Sequence, residues 1–264
     1  MLTTYVFVKI ALICCAGFVA AVIDSIAGGG GLITVPALIA AGVPSHMALG
    51  TNKFCSTPAS FSSVLQFMKS KKTNMGLLKY LVPFTLVGAL LGSNAVLSID
   101  ENILRSIVLV LILFVGLYTV FSKSMGAENR FSGLSKRNVA AGILLAFTLG
   151  FYDGYFGPGA GSLLLFGFIK IFGFDFVNAA GNAKALNFTS NIAALSIFAF
   201  HGQIDFLIAV PMAFSMILGA RLGTVLAISK GPRLIKPIFV SMTLAVGAKI
   251  AVQVISVAYG KLFL

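Results

Sequence analysis

The sequence predicts an all-α integral membrane protein of about ten helical segments, arranged as two inverted five-segment repeats with broken helices. Three observations carry this reading. Of the 264 residues, 58% are hydrophobic and 10% are charged, with a mean hydropathy of +1.02. A water-soluble domain of that composition would lack the polar surface to cover its core. Apolar runs of roughly 20 residues recur along the whole length, and that is what crosses ~30 Å of hydrocarbon as a helix. A β-barrel would instead alternate polar and apolar positions in ~10-residue strands, whereas Ile103 to Val120 is apolar almost all round. The third observation is that the chain matches itself.

Ala48-Leu49-Gly50-Thr51-Asn52-Lys53 falls on Ala179-Ala180-Gly181-Asn182-Ala183-Lys184, an offset of 131 from Lys53 to Lys184. The same offset returns downstream, where Gly88, Gly92 and Ser93 fall on Gly219, Gly223 and Thr224, and Gly116 on Gly247. Asp24 pairs with Asp153 at an offset of 129, so the second half carries about two extra residues after its aspartate. Small residues match by chance in any apolar chain, but a register shared over about a hundred residues points to duplication.

The apolar segments lie near 4–23, 31–42, 46–68, 75–98 and 102–121 in the first half. In the second they lie near 138–152, 159–173, 176–200, 204–228 and 233–259. The domains follow: a first transmembrane repeat over 1–121, a basic cytoplasmic linker over 122–137 and a second repeat over 138–264. Segments 31–42 and 159–173 are short, so each either spans or re-enters. Tyr5 to Ile23 has the look of a signal peptide, but it runs into a glycine-rich motif with a counterpart in the second half and is expected to be retained.

An odd number of segments per half brings the second copy into the membrane from the opposite side. Loop charge tests this independently. The net charge of +12 gathers in short connections: Lys69, Lys71 and Lys72; Lys123, Arg130, Lys136 and Arg137; and Lys230, Arg233 and Lys236. The inverted arrangement puts all three on one side, the cytoplasmic one, with both termini on the other. Connections around Asp100-Glu101 and His201 to Asp205 are neutral or acidic, while Lys9 and Lys261 run against the trend. The charge is thus accounted for by topology, and nucleic acid is not implied. Cys14, Cys15 and Cys55 lie in apolar surroundings and read as packing residues rather than a disulfide framework.

Two interruptions carry the chemistry. Asp24-Ser25-Ile26-Ala27-Gly28-Gly29-Gly30-Gly31 cannot favour a continuous helix, and Asp153-Gly154-Tyr155-Phe156-Gly157-Pro158-Gly159-Ala160-Gly161 repeats the break. Broken helices inside a membrane are tolerated only within protein or against a water-filled cavity. Close helix packing on glycine is the plain alternative, but two matched breaks favour a transport site. A helix restarting after each break would aim N–H groups and its positive dipole end at the gap, with Gly29, Gly30, Gly31, Gly159 and Gly161 offering backbone amides to an anion.

Lys53 and Lys184 stand at matched positions early in long apolar segments. A cation at mid-membrane costs ~2.5–3.5 kcal/mol on insertion scales, so the pair fits either counter-charges to an anion or side chains snorkelling to the interface. Around them Thr51, Asn52, Asn182, Asn187 and Asn191 supply hydrogen-bonding groups, with Lys184, Asn187 and Asn191 on one helix face. Interhelical hydrogen bonding is the plain alternative for each. Arg221 has no basic counterpart, since Leu90 takes its place, and reads as a substrate contact or a partner to Asp153 or Asp24. The aspartates read as proton-coupling groups or as caps on the half-helices. His46 and His201 stand alone, so no metal site, cofactor or enzymatic cluster is expected, and no Gly-Lys-Ser/Thr follows Gly28 to Gly31 as a nucleotide loop requires.

The glycine-rich break, the Val35-Pro36 after it, the Ala48-Leu49-Gly50-Thr51-Asn52 stretch and the second copy resemble the TauE/SafE family of sulfite exporters, the TSUP permeases. The likeness covers most of the chain and is looser in the second half, where Pro158 and Ala160 interrupt the glycines. It implies transport of a sulfur-containing anion, such as sulfite or an organosulfonate, across the bacterial cytoplasmic membrane. The expectation is an alternating-access secondary transporter. A passive anion channel and a non-transporting scaffold are the alternatives. Its partners would be the lipid bilayer and a small anion; faces such as Gly88 to Gly92 fit packing within the chain or in a homo-oligomer.

Overall fold

A long apolar segment in lipid must satisfy its own backbone groups, which makes helix the open solution. The computed structural model describes residues 2–104, 107, 108, 110 and 128–230, with side chains from Phe7 onward, and among them it is all-helical. Eight helices are described: α1 Leu2–Ala27, α2 Gly31–Ala40, α3 Ser45–Lys69, α4 Met75–Leu97, α5 Lys136–Tyr155, α6 Ala160–Phe172, α7 Phe176–Phe200 and α8 Phe206–Lys230. Most of the fifth apolar segment, the tenth, the Gly116–Gly247 match and Lys123, Arg233, Lys236 and Lys261 lie outside the described residues.

Local chemistry sets the ends. Asn74 caps α4 by accepting from Leu77 N, Ser135 and Asn138 form a capping box on α5, and Asp175 accepts from Val177 N and Asn178 N at the start of α7. The start of α3 follows Pro44, which has no capping side chain, and a distant carboxylate serves instead. Glu101 accepts from the Ser45 and His46 backbone N–H groups and lies 2.7 Å from His46 Nδ1. Burial would push this carboxyl up, but the bonds from Ser45 and His46 outweigh it and hold it below the usual carboxylate range.

Helix pairing shows how the ends are arranged. α1 and α8 run parallel: Ser215 Oγ donates to Cys14 O at 2.7 Å, and Gly219 and Gly223 seat against the carbonyls of Phe18 and Val22. α4 and α5 run parallel in the same way, with Gly88 and Gly92 on the carbonyls of Phe147 and Phe151. These glycines therefore pack within the chain. Between the two pairs lie α3 and α7, which cross the bundle in opposite directions.

Two clamps fix the loops that follow α3 and α7. Gly50 on α3 lies under Gln203 O, and Thr51 Oγ1 accepts from Asp205 N at 3.0 Å. Gly181 on α7 lies under Lys72 O, and Asn182 Oδ1 accepts from Asn74 N at 2.9 Å. The loop 201–205 thus sits at the start of α3, where α2 has just ended, and the loop 70–74 sits at the start of α7, where α6 has just ended.

It follows that α1 begins and α2 ends at the 201–205 end of the bundle, while α5 begins and α6 ends at the 70–74 end. Segments 31–42 and 159–173 therefore re-enter rather than span. Their helices of 10 and 13 residues rise only ~15 and ~20 Å. The two broken hairpins enter from opposite ends.

Polarity is arranged inside out. Phe7–Ala27, Met75–Leu97 and Phe206–Lys230 are long and apolar enough to cross a membrane, and they turn side chains such as Leu12, Phe84, Leu91, Phe214 and Leu218 outward. The polar residues of α3 and α7 are buried between them, among them Asn52, Lys53, Ser63, Lys184, Asn187 and Asn191. This places the polar stripe of α3 and α7 away from lipid.

A Cβ at Gly50 or Gly181 would fall inside van der Waals contact with a loop carbonyl. Gly50→Val and Gly181→Val should each destabilise the protein by roughly 1–3 kcal/mol, as overpacking does. Thermal unfolding in detergent should show a lower midpoint for both, with Gly76→Ala, which meets only the Asn74 side chain, close to wild type.

Candidate functional site

The two breaks come together in the middle of the molecule. α1 ends where Gly28 and Gly29 take φ of +77° and +91°, a left-handed turn that only glycine enters cheaply. Gly157 and Gly159 do the same after α5, at +92° and +85°. The broken stretches then lie backbone to backbone: a Cβ at Gly31 would stand 2.9 Å from Pro158 Cα, and one at Gly161 would stand 3.2 Å from Gly28 Cα. Ser162 Oγ donates to Ala27 O at 3.1 Å, tying the start of α6 to the end of α1.

At this junction the charges pair crosswise. Lys53 on α3 donates to Asp153 Oδ1 on α5 at 2.7 Å, and both side chains are 2% exposed. Lys184 on α7 donates to Asp24 Oδ2 on α1 at 2.6 Å and to Asp24 O at 2.8 Å. Each lysine of one half thus meets the aspartate of the other. A buried charge left alone costs several kcal/mol, so the four groups sit here only because they neutralise one another.

The neutral polar groups complete the network. Asn191 Oδ1 accepts from Lys53 Nζ at 3.0 Å, Asn187 Nδ2 donates to Asp153 Oδ2 at 3.0 Å, and Ser190 Oγ donates to that same oxygen. Asn52 Oδ1 accepts from Thr34 Oγ1 at 2.6 Å, joining α3 to α2. Asp24 Oδ1 accepts from Gly30 N at 3.0 Å, so Asp24 both caps the restart and pairs a lysine.

Two small cavities share Asp24, Gly161 and Asn187 in their walls. One, of about 20 Å³, is lined by Gly29, Gly30, Gly31, Asn52, Lys53, Ser56, Asp153, Gly159 and Asn191; the other, of about 10 Å³, reaches Lys184. Each has room for about one water molecule.

Of the residues the sequence singles out, the structure gathers Asp24, Asp153, Lys53, Lys184, Asn52, Asn187, Asn191 and the break glycines around these cavities. Thr51 and Asn182 are elsewhere, holding the loops before α8 and α4. Arg221 is exposed on α8, outside both cavity walls, and the aspartates pair with lysines instead. Sequence reasoning passed over Thr34 and Ser162, which carry no repeat signal because Leu163 and Ile33 stand at the matched positions. Among the described residues no group of His, Cys, Asp and Glu could hold a metal ion.

Residues 13–250 match the family described as Sulfite exporter TauE/SafE. The chain belongs to that family. Over 240 residues it is 41% identical to a "Probable membrane transporter protein" of Haemophilus influenzae, covering 91% of this chain and 93% of that one. It is 38% identical over 238 residues to the Escherichia coli "Probable membrane transporter protein YfcA", covering 89% and 85%. A Sinorhizobium relative, "Probable membrane transporter protein ORF9", is 35% identical over 247 residues, covering 92% and 93%. No solved structure matches. The chain is thus a membrane transporter of the TauE/SafE family, and the crossed ion pairs lie inside the matched region.

Removing one partner of a buried pair strands the other. Lys53→Met should cost about 3–5 kcal/mol, and the double variant Lys53→Met/Asp153→Asn should recover a large part of it. Equilibrium unfolding in detergent checks this; a double variant as unstable as the two singles combined would show that the pair is not coupled.

Proposed function

We propose that the chain is a secondary transporter of two inverted repeats, 1–121 and 138–264 joined by a linker over 122–137. It carries a small sulfur-containing anion, such as sulfite or an organosulfonate, across the bacterial cytoplasmic membrane. The single observation that carries this reading is the meeting of two helix breaks around two buried lysines, one from each half. Lys53 and Lys184 supply positive charge to the anion; Asn52, Asn187, Asn191 and the amides of Gly29 to Gly31 and Gly159 to Gly161 supply hydrogen bonds.

Support for the repeats comes from the correspondences in packing. The α1–α8 and α4–α5 pairings use glycines 131 residues apart, and the two loop clamps use Thr51 and Asn182, also 131 apart. For the orientation, Lys69, Lys71, Lys72, Arg130, Lys136, Arg137 and Lys230 belong to the 70–74 end of the bundle, which supports reading that end as cytoplasmic and the start of α1 as external. The family's description supplies the sulfur oxyanion.

Alternating access is favoured over an open channel by the size of the space. With both ion pairs closed, the cavities hold about a water molecule each, so an anion enters only when the hairpins and central helices rearrange. Rocking of one half against the other would open the junction to each end in turn.

Flux of radiolabelled sulfite into proteoliposomes, with and without a pH gradient, tests the reading. Saturable, gradient-dependent flux is expected. Lys53→Gln/Lys184→Gln should lower it by more than about tenfold, the equivalent of losing a charge-assisted hydrogen bond worth roughly 1.5–3 kcal/mol. Flux that never saturates would favour a channel, and undiminished flux in the double variant would remove the lysines from the site.

A further inference from the structure

The two crossed ion pairs occupy matched positions but are built differently. Asp153 is 2% exposed, and both its oxygens are taken by donors: Oδ1 by Lys53 Nζ, Oδ2 by Asn187 Nδ2 and Ser190 Oγ. A proton arriving on Oδ2 would face two groups that themselves donate. Lys53 is further held by Asn191 Oδ1.

The Asp24 carboxylate has no such surround. Its side chain is 24% exposed and borders both cavities. Oδ1 accepts from Gly30 N and Oδ2 accepts from Lys184. The difference is written into the sequence, because the positions matching Asn187, Ser190 and Asn191 are Ser56, Ala59 and Ser60, which do not reach Asp24.

We infer that Asp24 is the exchangeable carboxylate of this transporter: it occupies Lys184 as an internal stand-in for the substrate anion and must take up one proton for the anion to bind. Asp153 and Lys53 form the fixed half. This rests on the anion-carrier reading above and names its coupling step.

The step balances in charge and atoms. A proton from the aqueous side bonds to Asp24 Oδ2, the ion pair to Lys184 opens, and the anion takes the vacated place on the lysine ammonium. Asp24 keeps its bond to Gly30 N through Oδ1, and Lys184 keeps its bond to Asp24 O, so neither group is left without a partner. The site holds two cations and two carboxylates before the event. Afterwards it holds two cations, one carboxylate, one carboxylic acid and the anion, and it remains neutral. Anion entry without the proton would leave a net negative charge buried among helices, which burial penalises heavily.

The charged groups around Asp24 allow this. α7 presents Lys184 in the smaller cavity, and α3 presents Lys53 and α5 presents Asp153 in the larger one, with Asp24 bordering both. From α8 the lining residue is Met216, with Arg221 and Lys230 on the exposed surface; α2 has no titratable group, and Lys170 of α6 is exposed.

The test is binding of methanesulfonate to the purified full-length protein in detergent, by calorimetry, across mildly acid to mildly alkaline pH. This probe keeps its single charge throughout. Wild-type affinity should fall by about tenfold per pH unit on the alkaline side, as binding linked to one proton requires. Asp24→Asn should bind with affinity independent of pH, and Asp153→Asn should keep the wild-type slope. A direct measurement on wild type serves if either variant fails to fold: adding methanesulfonate to weakly buffered protein should take up one proton per anion bound. Binding with no proton uptake, or a slope lost in Asp153→Asn and kept in Asp24→Asn, would overturn the assignment while leaving the carrier standing. No binding of methanesulfonate, sulfite or sulfate at any pH would overturn both.

Discussion

The structure depends on the crossed pairing of two lysines with two aspartates at the centre of an apolar protein. None of the four could be buried alone at an acceptable free-energy cost, and none finds its partner within its own half of the chain. Lys53 reaches Asp153 on α5, and Lys184 reaches Asp24 on α1. Closing the pairs therefore requires the two halves to interlock, with α3 and α7 inside and the broken hairpins brought to them from opposite ends.

Glycine makes that interlocking sterically feasible. Where α1 meets α8 and α4 meets α5, helix backbones approach carbonyl to Cα, a distance that any side chain would prevent. Where the breaks meet, left-handed glycines turn α1 into α2 and α5 into α6 so that both aspartates end up beside the opposite half's lysine. The polar interior and apolar exterior that result are the reverse of a soluble protein's arrangement, and for the same reason: each group faces the medium that solvates it. The transport proposed for this chain would draw on the same device, since a site built of mutually neutralising charges admits another charge only by exchanging one of its own.

Much of this was legible in the chain. Glycine runs and lysines are rare enough in apolar segments that their recurrence at offsets of 129 and 131 marked the breaks and the matched cations. Thr51 and Asn182 were legible only as polar residues beside those lysines. Their work is to hold loops 201–205 and 70–74, and no local pattern reports which loop folds over a helix start. Arg221 stood out because it broke the repeat, yet its position on α8 turns it outward.

What the sequence by itself determined is the class of the molecule: apolar length demands membrane helices, and glycine runs demand breaks in them, both through local backbone physics. Which aspartate neutralises which lysine and whether the short segments span or return were decided by tertiary structure alone. Those are contacts between residues 100 or more positions apart, and their energies depend on what surrounds each charge rather than on the residues beside it in the chain.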